Sequence, residues 1–268
     1  MSVFSGSYGR REGKAIRGGN ALTRSLQIFG RTWQLGYTHL GMIMALSAIW
    51  FFCAVGPLLV AYVIWGFTGF PGVWPLAILA SVATTGAGTP GVIALTYRLI
   101  KREQVELGDY LEETRTYWKR GVALAVIDVL ITVVLVVDLW VVWHAANPTI
   151  RFFAWVWIYL GIFWLMILPL HFPLLVRQTG GGVVTIFRNS VLITLGNPAL
   201  SFLMLIWAGV IVLANTVLAA GLLLLLAGLL GFLYNLYLSE VIQVARQRRV
   251  LSGQETEDQV DEATNLED

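Results

Sequence analysis

The chain has 268 residues, 57% of them hydrophobic and 13% charged, with a net charge of +2. Soluble domains carry roughly 25% charged residues, so the composition excludes an ordinary water-soluble domain, and so small a net charge excludes an electrostatic nucleic-acid interface. The single cysteine, Cys53, excludes both an intrachain disulfide framework and a cysteine-based metal centre.

Residues 1–39 carry Arg10, Arg11, Lys14, Arg17, Arg24 and Arg31 ahead of any long apolar run. No small-residue cleavage site follows the first such run, so this segment is expected to stay attached and cytoplasmic. Within it, residues 21–28 have the pattern of an amphipathic helix lying on the inner leaflet.

Five apolar blocks follow, at about 40–66, 73–98, 121–143, 152–176 and 198–238. A hydrocarbon core of roughly 30 Å needs about 20 helical residues, whereas barrel strands are about 10 residues long and alternate in polarity. Unbroken stretches such as 122–137 and 218–233 do not alternate. The last block would make a helix of roughly 61 Å, so it is expected to fold back at a turn near Ala214 to Gly221, marked by the polar pair Asn215 and Thr216, into spans at 198–215 and 218–238. The expected fold is all-α, a polytopic transmembrane helical bundle of six spans.

Lys and Arg collect on the cytoplasmic side of short loops. With six spans and a cytoplasmic N-terminus, every one of the 18 Lys and Arg residues except Arg151 falls inside. Trp65 and Trp74 flank the first outer turn, and Trp140, Trp143, Trp155 and Trp157 flank the second, as an interfacial aromatic belt should. Residues 239–268 read as a cytoplasmic tail, first basic (Arg246, Arg248, Arg249) and then acidic and disordered from Glu255 to Asp268.

A polar-aromatic segment precedes the first, third and fifth spans: Phe29-Gly30-Arg31-Thr32-Trp33, Thr114-Arg115-Thr116-Tyr117-Trp118 and Phe187-Arg188-Asn189. Each leads into a two-span hairpin, a pattern of three elbow-helix-plus-hairpin repeats. Internal repeats of this sort are common in transporters.

Polar residues at membrane depth define a candidate site. The second span contains Thr84, Thr85, Gly86, Ala87, Gly88, Thr89, Pro90 and Gly91. Pro90 has no N–H to give the Gly86 carbonyl, so a kink or a short unwound stretch is expected. Two accounts are open: small residues packing against neighbouring helices, or a discontinuous helix whose free backbone groups line a site. Asp128 lies about 10 Å inside the third span, and His171, between Pro169 and Pro173, lies about 8 Å inside the fourth. An ionisable group at that depth is either a functional site or a carboxylate held for structure alone. Asp138 lies nearer the outer surface.

The three histidines, His39, His144 and His171, are far apart, with no HExxH or other metal spacing. Neither a nucleophile elbow nor a phosphate-cradling loop is present, and Gly180-Gly181-Gly182 has the composition of a cytoplasmic turn. No enzyme activity, cofactor or metal is expected.

The sequence Ala83-Thr84-Thr85-Gly86-Ala87-Gly88-Thr89-Pro90-Gly91, followed by Ala94-Leu95-Thr96-Tyr97-Arg98-Leu99, Glu103, Asp109-Tyr110, Tyr117-Trp118-Lys119-Arg120 and Asn197-Pro198, resembles the YesL-like family of bacterial membrane proteins, a domain of unknown function. The resemblance covers about residues 20–240 and departs from the family in the long outer turn at 66–74 and the acidic tail. It implies a bacterial inner-membrane protein accessory to a transport system, with carbohydrate uptake as the system served and transporter subunits and lipids as partners. It carries over no catalytic residues. The alternative is a small transporter or channel with its site near the second span and Asp128.

Overall fold

A computed structural model describes residues 20–178, 182–218, 221 and 224–251. In chain order its helices are α1 (Ala21–Thr38), α2 (Leu40–Thr68), α3 (Val73–Ile100), α4 (Leu107–Trp143), α5 (Pro148–Phe152), α6 (Ala154–Ile167), a 3-10 turn (Leu168–Leu170), α7 (His171–Arg177), α8 (Val183–Gly196), α9 (Pro198–Val217) and α10 (Leu226–Leu251). There is no strand among the described residues. Six segments are long and apolar enough to cross a membrane: α2, α3, α4, Pro148–Arg177, α9 and Leu226–Gln247. The chain is an all-α polytopic membrane protein.

Local chemistry sets the ends of these helices. Gly69 closes α2 at φ 65°, a left-handed conformation that costs glycine little. Glu106 and Asp109 form a reciprocal capping box that starts α4. Arg98 pairs with Glu103 at 2.8 Å and Asp109 at 3.2 Å, which ties the α3–α4 connection together. Asn147 accepts from the Thr149 N–H at 2.9 Å and starts α5, with Pro148 at its first position.

The helices leading into the first and fifth spans are separate elements, α1 and α8, whereas the segment before the third span is continuous with it in α4. His39, at φ −114°, ends α1, and Asn197, at φ −142° with Pro198 after it, ends α8. Between Glu113 and Gly121 no proline or turn residue interrupts α4.

The second span is an unbroken helix through Pro90, so the expected unwinding does not occur. The reason lies across the interface. The Gly86 carbonyl that Pro90 leaves free packs on Gly121 of α4 so closely that a Cβ on Gly121 would collide with its oxygen. Weak Cα–H contacts of this kind accompany close helix approach.

α9 and α10 are the two arms of the last apolar block; α9 ends at Val217, within the expected turn of Ala214 to Gly221, with Asn215 and Thr216 still helical. Asn215 donates to the Ile211 carbonyl at 2.7 Å and Thr216 to that of Val212 at 2.8 Å. Their polarity is satisfied within α9, which runs on to Val217. α10 then starts at Leu226 and continues to Leu251; the acidic residues beyond, and Gly180 and Gly181, lie outside the described residues.

α10 is the central pillar. Phe232, Leu233, Tyr237 and Leu238 are fully buried, and 72% of its membrane window is covered, against 11% for α4. Side chains bind it to its neighbours. Ser47 of α2 accepts from the Gly228 N–H at 3.0 Å, satisfying a donor that the helix start leaves free. Asn235 donates to the Ile93 carbonyl (2.9 Å) and to Thr96 (3.0 Å) of α3, Tyr237 shares a hydroxyl bond of 2.6 Å with Ser201 of α9, and Glu240 accepts from Arg24 of α1 at 3.0 Å.

Candidate functional site

The structure splits the sequence-predicted polar residues into two groups. In the first, on α3, Thr84 donates to the Cys53 carbonyl of α2. Thr89 donates to the Thr85 carbonyl at 2.7 Å and accepts from the Trp50 indole of α2 at 3.0 Å. A Cβ on Gly86 would stand 2.6 Å from that of Ala125, and one on Gly88 would stand 2.7 Å from the Tyr110 hydroxyl, which donates to the Gly88 carbonyl at 3.3 Å. Pro90 is buried against Gly121. These contacts are direct helix–helix packing, in which glycine lets backbones approach closely.

The second group is built around Asp128. The 3-10 turn at Leu168–Leu170, containing Pro169, leads into α7 and presents His171 to α4. There the Nδ1–H donates to Asp128 Oδ1 at 2.9 Å. His171 is fully buried and Asp128 is 6% exposed. One turn along α4, Thr132 donates to the Asp128 carbonyl at 2.7 Å and accepts from the Trp164 indole of α6 at 3.0 Å. The ring centroids of Trp164 and of Phe187 of α8 lie 5.7 and 4.3 Å from that of His171, and the two rings stack on each other at 6.1 Å. The other imidazole nitrogen, Nε2, is buried with no hydrogen-bond partner.

The sequence placed Asp128 and His171 in one layer, and the structure brings them into contact. Thr84, Thr85, Gly86, Gly88, Thr89 and Pro90 are engaged elsewhere: none has a hydrogen bond to either member of the pair among the described residues.

Sequence reasoning missed the polar residues of the pillar. Asn235 and Glu240 are buried, and Arg177 reaches α10 through Ser239 while its guanidinium lies 4.1 Å over the Tyr97 ring. A signal was available. The run Tyr234-Asn235-Leu236-Tyr237-Leu238-Ser239-Glu240 gives the last span the lowest mean hydropathy of the six, 1.2, and a span that polar avoids lipid by sitting inside the bundle.

Fold and site together define a multi-pass helical membrane protein with a buried carboxylate–imidazole pair. No protein-family model matches the chain, and no curated protein or solved structure does.

Proposed function

We propose that the protein is a non-enzymatic accessory of a membrane transport system, anchored in a bacterial inner membrane with both termini cytoplasmic. The observation that carries this reading is the close-packed seam between α2, α3 and α4, where Gly86 meets Gly121 and Ala125, and Trp50 meets Thr89. Thr89, Gly86, Gly88 and Gly91, residues suited to line a pathway, are engaged in packing. The resemblance to YesL-like proteins adds carbohydrate uptake as the system served and transporter subunits as partners.

Deleting the gene in its host should slow uptake of a labelled sugar, while the purified protein in liposomes should carry none. Undiminished uptake by the deletion strain for every sugar tested would end the reading. Orientation is tested separately in a Cys53→Ala background. Gly69→Cys should react with an impermeant maleimide in intact cells, and reaction instead at the opposite end of the spans would invert the topology.

A second reading, a small transporter, is favoured by one observation: the Asp128–His171 pair inside the spanning region. Substrate flux through liposomes that is lost in Asp128→Asn would favour it over the accessory role.

A further inference from the structure

The segments that lead into the first, third and fifth spans share a register. Leu22, Leu26 and Trp33 of α1 recur at the same spacing as Leu107, Leu111 and Trp118 of α4, and all six are exposed. The other faces of the two segments pack in matching ways. Arg24 pairs with Glu240 of α10 at 3.0 Å, and Asp109, at the equivalent place in α4, pairs with Arg98 of α3 at 3.2 Å. Gly36 lies against Leu229 of α10, and its equivalent Gly121 lies against Gly86 of α3. Each segment is thus laid along the second arm of another hairpin, so that Asp109 to Gly121 sit beside Arg98 to Gly86 and not beyond the end of that span. In the third copy, Val184 and Leu195 of α8 are exposed at the spacing of Leu26 and Tyr37 of α1, which are exposed too.

α4 shows what the exposed stripe faces. It is one helix from Leu107 to Trp143, and at the α-helical turn Leu107, Leu111, Trp118, Val129, Val136 and Trp140 fall within about 60° of one another. All six are exposed, so the stripe runs from the spanning part, where 11% of the membrane window is buried, into the leading segment without changing face. A surface continuous with lipid-facing valines meets lipid itself. Cations border it. Arg115 and Lys119 of α4 and Arg188 of α8 are exposed beside the stripes, and the Lys119 ammonium lies 5.7 Å from the centroid of the Trp118 ring. Exposed Glu112 falls further round α4, as its equivalent Gln27 does on α1. Helices with this order of apolar face, basic border and polar outer face lie at the boundary of headgroups and acyl chains.

We propose that the leading segments of α1, α4 and α8 form a lipid seat selective for anionic phospholipid. The stripes take the acyl carbons nearest the headgroups of one leaflet, and Arg115, Lys119 and Arg188 take the phosphates and acidic headgroups. Long basic side chains lay their stems on apolar surface while the charge reaches out to the headgroup, and each adds attraction for an anionic leaflet. The ion pairs Arg24–Glu240 and Arg98–Asp109 lie on the bundle side of the same segments and hold the stripes outward. The seat does not depend on the accessory role: it serves an accessory or a transporter alike.

The test uses the full chain in liposomes, with a nitroxide on single introduced cysteines in a Cys53→Ala background. Oxygen concentrates in lipid and a nickel chelate in water, so the ratio of their collision rates with the nitroxide reads depth. At Leu26→Cys, Leu111→Cys and Val184→Cys oxygen should dominate; at Gln27→Cys and Glu112→Cys the chelate should. Stripe labels as open to the chelate as the polar-face labels would overturn the inference and mark the segments as a surface for a soluble partner. Selectivity is read with spin-labelled lipids. Phosphatidylglycerol should associate with the protein about fivefold more tightly than phosphatidylcholine, the ratio that one basic contact gives. That ratio should fall toward one in the triple variant Arg115→Gln, Lys119→Gln, Arg188→Gln, and persist in Arg115→Lys with Arg188→Lys, which keeps the charge. No preference in the unaltered chain, or a preference that the glutamine variant retains, would overturn the anionic assignment.

Discussion

The seam at residues 84–91 and the layer of Asp128 and His171 both place polar groups at membrane depth, yet they satisfy them in opposite ways. Thr84 and Thr89 give their hydroxyl protons to backbone carbonyls, Thr89 within its own helix, and the glycines between them bring α4 close. A hydroxyl on a helix is satisfied locally. Asp128 has no such recourse: its carboxylate needs a donor from another helix, and it finds one on α7. Hydroxyls and glycines in a membrane span therefore mark proximity, whereas a buried acid marks a specific partner.

That contrast can be broken most severely at the pair. Asp128→Ala removes the carboxylate and strands His171, and it should cost about 3–5 kcal/mol of folding free energy, measured by reversible unfolding in mixed micelles. Replacing both partners, as Asp128→Leu with His171→Phe, should restore most of that stability, because apolar side chains of similar volume leave no buried polar group unpaired. If the double variant is as unstable as the single one, the loss belongs to packing around α4 and not to a stranded imidazole.

At the seam the expected effects are smaller and steric. Gly121→Ala forces a methyl against the Gly86 carbonyl and the Pro90 ring, and should cost about 1–3 kcal/mol in the same assay. Gly209→Ala, where a Cβ meets nothing within 4 Å, should cost nothing and serves as the control. Equal losses at both positions would show that α3 and α4 are not closely packed. The smallest effect belongs to Thr89→Val, which removes the acceptor of the Trp50 indole at constant volume: about 0.6 kcal/mol, the average for interhelical hydrogen bonds in membranes. A loss as large as that of Asp128→Ala would erase the distinction between the two regions.

The sequence by itself determined the class of fold. Runs of apolar residues long enough to span, the placement of Lys and Arg, and the excessive length of the 198–238 block require six helices before any contact is known, because the bilayer acts on each span separately. It also placed Asp128 and His171 at one depth, since the rise of a helix converts residue counts into depth. Tertiary structure decided which neighbour each polar residue meets. The helical rise does not fix the rotation of one span relative to another, and it was rotation that gave Asp128 to His171 and gave Gly86 to Gly121. The place of α10 was decided in the same way. Asn235 and Glu240 are tolerable in a span only because α1 and α3 surround them with Arg24, Thr96 and the Ile93 carbonyl, partners 139 to 216 residues away in the chain.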